Sequence, residues 1–302
     1  MPPRPSPERF STGVLNLDKA AGDTSFSVVN RLRRLTGAHR VGHAGTLDPL
    51  ATGVLPILFE SATRLAEFAL KLPKTYVADI HLGFTTATDD AEAALEPVAD
   101  PSGITAHDIE MALVEFSGRI MQQPPAYSAV KVEGKRAYRL ARSGEPARPA
   151  PREVEVYAAN MLDFQPGPNA VARVEVRCGS GTYLRSIARD LGLRLEVGGY
   201  LGRLVRTAYG PLRIEDAASL HALETADAVR DRLLAAEVIL PDMERVRLNV
   251  EQAAQVRQGR PVRVLPEPAP GPVRAHDADG RLIALGHTDP LRRTFVPKKV
   301  LS

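Results

Sequence analysis

Residues Gly42-His43-Ala44-Gly45-Thr46-Leu47-Asp48-Pro49 set an acid and an imidazole between glycines. Pro49 biases Asp48 away from helical geometry, and Gly42 and Gly45 permit a tight backbone and close approach of a ligand. The effect is to present a carboxylate on an irregular loop just ahead of an apolar run, VLPILF, that reads as a buried strand. The same spacing fits a turn aspartate that caps Thr52 or another nearby N–H, and spacing alone leaves both readings open. His43 is equally ambiguous: a ligand contact, a general base, or a loop histidine satisfied by backbone. One His beside one Asp makes no nucleophile triad, and no metal-ligand spacing surrounds it. His39, His81, His107, His221, His276 and His287 do not cluster in the sequence and Cys178 stands alone, so no metal is expected.

A second segment, Cys178-Gly179-Ser180-Gly181-Thr182-Tyr183-Leu184-Arg185, precedes helix-periodic sequence. Gly-rich turns that open a helix often hold phosphate, but no Lys follows the second Gly as a P-loop requires. Thr182 could instead cap the helix at a turn that Gly181 permits. Arg185 falls in the first helical turn, where a cation is poorly matched to the helix dipole. That position suggests a buried carboxylate partner; a surface arginine is the alternative. The run from Gln122 through Pro124, Pro125, Tyr127 and Lys131 to Tyr138 and Arg142 interleaves aromatics with cations. Such a loop can stack bases and neutralise phosphates, or it is simply solvated.

The elements that must position these groups follow from periodicity. Gly13–Leu17 reads as a strand, and Ser25–Leu35 as a helix with Ser27 able to cap it and Val28, Val29, Leu32 and Leu35 on one face. Helical spacing returns over Ser61–Leu70. Thr75–Gly83 alternates as a half-buried strand does, residues 84–103 read as an acidic surface excursion, and Thr105 caps a helix reaching Phe116. Residues 122–152 form a long surface loop. Val154–Phe164 and Ala170–Cys178 are strand-like, Thr182–Glu196 is helical, and helices are expected around 216–238. From Val246 onward the chain is dense in Val, Arg, Pro and Gly with short strand candidates, which predicts a small β-rich domain appended to a larger α/β domain.

The bulk properties bound these readings. The chain has 302 residues, 44% of them hydrophobic, enough for one large core or two unequal domains. Its single cysteine excludes an intrachain disulfide and suits a cytoplasmic protein. No apolar run approaches a bilayer span, and the N-terminal MPPRPSPERF has no apolar stretch of a secretory signal, so residues 1–10 read as a loose leader. A net charge of +3 with abundant Arg is compatible with nucleic acid without demanding it.

Taken together, several segments resemble the TruB family of pseudouridine synthases, in the family's order and over nearly the whole chain. GHAGTLDPLATGVL resembles the signature around its catalytic aspartate, KTYVADIHLG its tyrosine-bearing strand, QQPPAYSAVKVEGKRAYRLAR its RNA-binding thumb loop, CGSGTYLRSIARDLG its arginine motif and LNLDKAAGDTS its N-terminal motif. The tail from Val246 resembles a PUA-type RNA-binding barrel. Two departures stand out: Lys19 is followed by Ala20 where the family has Pro, and Val205 precedes Arg206 where paired arginines are usual.

The resemblance implies an α/β fold, a mixed-sheet catalytic domain over 11–245 with a thumb loop at 122–152, followed by a small β-barrel PUA-like domain over 246–302. It implies isomerisation of uridine 55 in the T loop of tRNA by a stand-alone, cytoplasmic enzyme of the bacterial type, monomeric, with tRNA as partner, no required protein partner, no membrane, and no cofactor. Asp48 is implied as the catalytic carboxylate, Tyr76 as the aromatic stacked on the target base, and Arg185 as the partner of Asp48. His43, Tyr183 and Leu204 are implied to line the nucleotide pocket, and Lys19 to support its edge. Arg292, Arg293, Lys298 and Lys299 offer phosphate contacts in the tail. The rival readings are an RNA-guided ribonucleoprotein synthase, a tRNA-binding folding factor without essential catalysis, and a nucleoside hydrolase, which ordinarily wants a metal or two carboxylates.

Overall fold

The computed structural model describes residues 10–128, 130–132, 135–136, 149–264, 271–289 and 292–301. Residues 1–9 of the expected leader, and Tyr138 and Arg142 of the expected thumb loop, lie outside the described residues.

A large mixed sheet of 11 strands has its members between Gly13 and Leu234. Strand β1 (Gly13–Lys19) leads into helix α1 (Ser25–Thr36), and β2 (Val41–His43), β3 (Thr52–Phe59) and β4 (Lys74–Leu82) follow. Along the main path of the sheet the order is Ala218–Ser219, β1, β3, Gly199–Tyr209, β4, Val171–Cys178, Arg152–Gln165 and Gly118–Gln122. Most neighbours are antiparallel, but β3 runs parallel to Gly199–Tyr209, pairing Thr52 with Val205 and Gly53 with Arg206. Gly53 has φ +100°, and a Cβ there would stand 2.3 Å from the Arg206 carbonyl oxygen, so only glycine allows this approach.

β3 is buried from Gly53 onward, as its apolar run predicts. β4 alternates strictly: Lys74, Tyr76, Ala78, Ile80 and Leu82 are buried and the residues between are not. Ile80 and Leu82 join a core closed by three helices, α1 through Val28, Val29 and Leu32, Ala106–Val114 through Ile109 and Leu113, and Leu184–Arg194 through Ile187, Ala188 and Leu191. The same period that sends Ile80 and Leu82 inward also sends Lys74 and Tyr76 inward at the other end of the strand.

Several local expectations need correction. Thr24, not Ser27, caps α1; Ser27 sits at the third helical position and completes the capping box. Tyr183 occupies the cap position of Leu184–Arg194, with no side-chain cap, and Thr182 Oγ1 turns back to the Gly179 carbonyl. Residues 60–65 form a 3-10 helix followed by only a short α-helix, Ala66–Ala69. Around 216–238 the helices are brief, the one α-helix there being Ala226–Arg230. Gly199–Tyr209, an 11-residue strand at the centre of the sheet, has no counterpart in the periodicity reading. Phe10, assigned to the leader, is buried against Phe59 with ring centroids 5.1 Å apart.

Helix Leu184–Arg194 packs so closely on the next strand that a Cβ on Gly192 would lie 2.1 Å from Gly199 N. Gly→Ala inside a helix ordinarily stabilises by roughly 0.5–1 kcal/mol. Here Gly192→Ala is expected to destabilise by about 1–3 kcal/mol, because the clash is with backbone that cannot rotate away. A denaturant midpoint that rises in this variant would contradict the packing.

From Glu244 a second sheet begins, in the order Glu244–Arg247, Pro272–His276, Leu282–Asp289, Thr294–Val300 and Val262–Arg263. It curls over helix Val250–Arg257 around its own core of Val246, Val256, Val273, Ile283 and Phe295, as a PUA-like half-barrel does. Leu285 and Leu301 point the other way, into an apolar cluster with Val14, Leu58, Leu65 and Ile239 that joins the two sheets. Across the same seam Lys299 donates to the Arg64 carbonyl and pairs with Glu67. That tie occupies one of the cations expected to meet phosphate.

Candidate active site

The loop between β2 and β3 is shaped by four anchors. Ala44 N–H donates to the Pro56 carbonyl at 3.0 Å, and Ser25 Oγ links to both Leu47 N and Leu47 O, at 3.0 and 3.2 Å. Ala51 N–H closes a turn on the Asp48 carbonyl at 3.1 Å, and Lys19 Nζ donates to the Pro49 carbonyl at 3.3 Å. The turn is therefore held by backbone bonds and by the Ser25 and Lys19 side chains, without help from the Asp48 carboxylate. Among the described residues the Asp48 carboxylate accepts no backbone N–H, which removes the capping reading, and 40% of the side chain remains exposed.

Its partner is Arg185. Arg185 Nη2 lies 3.0 Å from Asp48 Oδ2, and Nη1 lies 3.4 Å from Oδ2 of Asp90, which is buried. The same guanidinium donates to the Thr88 and Tyr127 carbonyls, each at 3.1 Å. Arg185 is thus gripped by three separate stretches of chain, and its fork points one carboxylate into open space. This planar, multi-donor geometry is one that Lys cannot reproduce.

Asp90 was invisible to the sequence reading, which placed it in a surface excursion. The chain turns inward there because Leu201 N–H donates to the Asp89 carbonyl and Ala91 N–H to the Leu201 carbonyl, each at 3.0 Å. Asp89 pairs with Arg189 at 3.0 Å, one turn along the same helix from Arg185. The start of the proline-rich segment is also held. Gln122 exchanges hydrogen bonds with the backbone N–H and carbonyl of Tyr183, and the Gln123 carbonyl accepts from Ser186 and Arg189.

These groups surround a cavity of about 470 Å³. Asp48, Tyr76, Tyr183, Arg185 and Leu204 line it, together with Lys74, Tyr127, Arg152 and Arg206. His43 and Lys19 are not in its wall. His43 ends β2, and burial first and Arg206 second hold its imidazole below the usual range. Lys19 is fully buried, and its ammonium donates to the carbonyls of Ala20, Asp23 and Pro49, bracing the back of the Asp48 loop. Burial lowers the Lys19 pKa, partly offset by Asp23 and Asp48.

Arg206 lines the cavity too, and sequence reasoning gave it no part in the site. It is 1% exposed, donates to the Val54 and Gly45 carbonyls at 2.6 and 2.9 Å, and stands 3.5 Å from Tyr76 Oη. Its guanidinium lies over both the Tyr76 and Tyr209 rings, 5.9 and 5.0 Å from their centroids. Burial pushes the Tyr76 phenol up despite this cation, so Tyr76 stays protonated at neutral pH. The only signal in the sequence was the departure at Val205-Arg206.

In chemical terms the cavity presents one carboxylate backed by a buried guanidinium, two aromatic faces and several cations. That is suited to stabilising or capturing a cationic carbon while a flat, anionic fragment is held beside it. Among the described residues no cluster of three His, Cys, Asp or Glu could hold a metal ion, and no helix is long and apolar enough to cross a membrane.

Comparison with known proteins bears on this arrangement. Residues 33–184 match the family described as TruB family pseudouridylate synthase, N-terminal domain, and residues 243–289 match tRNA pseudouridine synthase II, C-terminal. Proteins named tRNA pseudouridine synthase B are 44% identical in Synechococcus elongatus, over 91% of this chain and 94% of that protein, and 43% identical in Mycobacterium ulcerans, over 91% of each. In Symbiobacterium thermophilum the identity is 46% over 82% of each chain. Among solved structures, a chain of a Cbf5–Nop10–Gar1 complex superposes with a TM-score of 0.71 at 26% identity, covering 96% of this chain and 85% of that one. A chain of an H/ACA ribonucleoprotein bound to a substrate RNA containing 2′-deoxyuridine gives 0.71 at 25%, with the same coverage.

Proposed function

Since the chain belongs to the TruB family of pseudouridine synthases and isomerises uridine to pseudouridine in tRNA, we propose that Asp48 is the carboxylate that acts at C1′ and that the target is uridine 55 of the T loop. The observation that carries the assignment is the Arg185 clamp: it sets the Asp48 carboxylate, and among the described lining residues no other, in the wall of a cavity of about 470 Å³, roomy enough for a nucleoside.

The steps follow from the residues present. A uridine inside a folded loop must leave its stack to reach Asp48, and the rings of Tyr76 and Tyr183 with the Leu204 side chain receive it. The C1′–N1 bond breaks with its electron pair going to the uracil. Asp48 either bonds to C1′ or stabilises the oxocarbenium ion, and Arg185, 3.0 Å away, holds the carboxylate in place for that task. The uracil turns against Tyr76, C5 bonds to C1′, the C5 proton is lost and N1 gains one. Reactant and product are isomers, so no oxidant, reductant or transferred group is consumed.

His43 and Lys19 take supporting parts in this reading. Lys19 holds the loop that carries Asp48. The His43 ring is only partly buried and offers a contact for RNA flanking the target, while its Nδ1 is enclosed without a hydrogen-bond partner among the described residues. Residues 11–245 carry the chemistry and 246–302 form an RNA-binding domain in which exposed Lys298 and Arg292 meet phosphate. Identity of 43–46% with the bacterial synthases, against 26% with the Cbf5 chain, supports a stand-alone, monomeric, cytoplasmic enzyme that finds tRNA without a guide RNA or partner proteins.

The test is to incubate purified protein with unmodified tRNA and map pseudouridine by nucleotide. A single modified uridine in the T loop is expected, and modification elsewhere only, or none without added proteins, would sink the assignment. Excess chelator is expected to leave the single-turnover rate unchanged once RNA folding is controlled for, because the described residues include no metal-ligand cluster. Restoration of a lost chemical step by zinc or magnesium would show that a metal takes part.

A further inference from the structure

The cavity holds a second cation beside Arg206 that the mechanism above does not use. Lys74 is the first residue of β4, on the same buried face as Tyr76, and is 5% exposed. Its ammonium donates to the Leu70 carbonyl at 2.6 Å and lies 4.9 Å from the centroid of the Tyr209 ring, the ring that Arg206 also covers. Among the described residues neither Lys74 nor Arg206 pairs with a carboxylate, and both line the cavity. Two neighbouring buried cations without a counter-charge are costly. They persist where something else supplies the negative charge.

We infer that Lys74 and Arg206 form an anion-receiving floor that stabilises the negative charge of the detached uracil while it turns, an inference that rests on the isomerase assignment above. When C1′–N1 breaks, the electron pair leaves with the uracil, and the ring anion spreads that charge over its nitrogen and carbonyl oxygens. A flat, weakly hydrated anion suits cations that are almost wholly buried, whereas a backbone phosphate keeps its oxygens near water at a cavity mouth. The ring that stacks on Tyr76 lies within reach of the two charges that border Tyr76. Lys74 thereby lowers the barrier to bond cleavage without binding the ground-state, uncharged uridine any tighter.

The charge on Lys74 is titratable, which makes the inference testable. Burial first, and Arg206 second, lower its pKa to about 8. The ammonium is therefore present below that pH and lost above it. The groups facing Lys74 are Arg206 and Tyr209 on strand 199–209, Cys178 on strand 171–178, Tyr76 on its own strand, and Asp48, Arg152 and Arg185 around the cavity. Of these types only phenols and thiols can also change charge above neutrality. Burial pushes the Cys178 thiol up to about 11 and raises both phenols.

The experiment is single-turnover pseudouridine formation on saturating T-loop RNA from pH 6 to pH 9, with the RNA dissociation constant measured in parallel. The wild-type rate is expected to fall about tenfold between pH 7 and pH 9. Lys74→Arg, which keeps its charge throughout, is expected to lose that fall. Lys74→Gln and Lys74→Met are expected to be slow by about a hundredfold at every pH, with RNA affinity within about threefold of wild type. A wild-type rate that is flat to pH 9, or a fall that persists in Lys74→Arg, overturns the inference. Weakened binding with an unchanged saturated rate also overturns it, and would assign these cations to RNA phosphate. A wild-type protein that makes no pseudouridine refutes instead the isomerase assignment. Circular dichroism establishes that each variant is folded, and the Gln and Met variants stand in if the bulkier Arg is not accommodated.

Discussion

Asp48→Asn is expected to abolish isomerisation, lowering the single-turnover rate by about 10⁴-fold or more, while tRNA binding changes by no more than a few-fold. The substitution preserves shape and removes both the charge and the nucleophile. Asn is itself a good turn and cap residue, and the turn at Asp48 is held without its carboxylate, by Ala51 N–H on the Asp48 carbonyl and the Lys19 ammonium on the Pro49 carbonyl. The fold therefore has little reason to respond. Binding is expected to draw on cations and aromatic faces elsewhere in the cavity and on the second sheet, and to tighten slightly if removing a carboxylate relieves repulsion from phosphate. The measurement is a pair: pseudouridine formed per turnover, and filter binding of the same tRNA at one salt concentration. Normal turnover would end the catalytic assignment of Asp48. Loss of both activities would show a structural role and leave the chemistry without an owner.

Arg185→Met is expected to cost about a thousandfold in the same assay, and Arg185→Lys much less. Methionine leaves two carboxylates without their cation. Asp48 is partly exposed and can be solvated, but Asp90 is 3% exposed and cannot. An unpaired buried carboxylate costs about 3–5 kcal/mol or takes up a proton, so the Met variant is also expected to be less stable. Lysine keeps a positive charge near Asp48 but lacks the fork that reaches Asp48, Asp90 and the Thr88 and Tyr127 carbonyls together. It should restore stability more completely than rate. Denaturant midpoints taken beside the rates separate the two effects. Equal activity in the Met and Lys variants would mean that the charge of Arg185 does not act on Asp48.

Much of this architecture can be read from local sequence. The alternation of Lys74–Leu82, the apolar run into Phe59, the capping box that begins at Thr105 and the short valine-rich strands after Val246 each reflect a period or a cap contained within a dozen residues. The loop that presents Asp48 is announced locally by Gly45, at φ +69°, and Pro49, although Ser25 and Lys19 also anchor it from a distance. Arg185 in a first helical turn pointed to a carboxylate partner, and the structure supplies two.

Other features depend on residues far apart in the chain. Strand Gly199–Tyr209 is interrupted by Gly202, Arg203 and Arg206, which hides its apolar alternation. It is a strand because β3 and β4 flank it, not because its own composition favours one. Cap choice at α1 turned on which of two hydroxyls the chain entering from Lys19 could aim at the free N–H groups, and Thr24 had that geometry. Asp90 looked like one more surface acid until Leu201 drew its segment inward. The environments of Lys74 and Arg206 are wholly tertiary: Arg206 reaches carbonyls 152 and 161 residues away, and Lys74 stands over a tyrosine 135 positions later. Elements with a clear period or cap, and the loop that carries the candidate carboxylate, are legible in local sequence. Only the tertiary structure decided which charges are buried beside it, because desolvation and ion pairing depend on neighbours that chain position does not reveal.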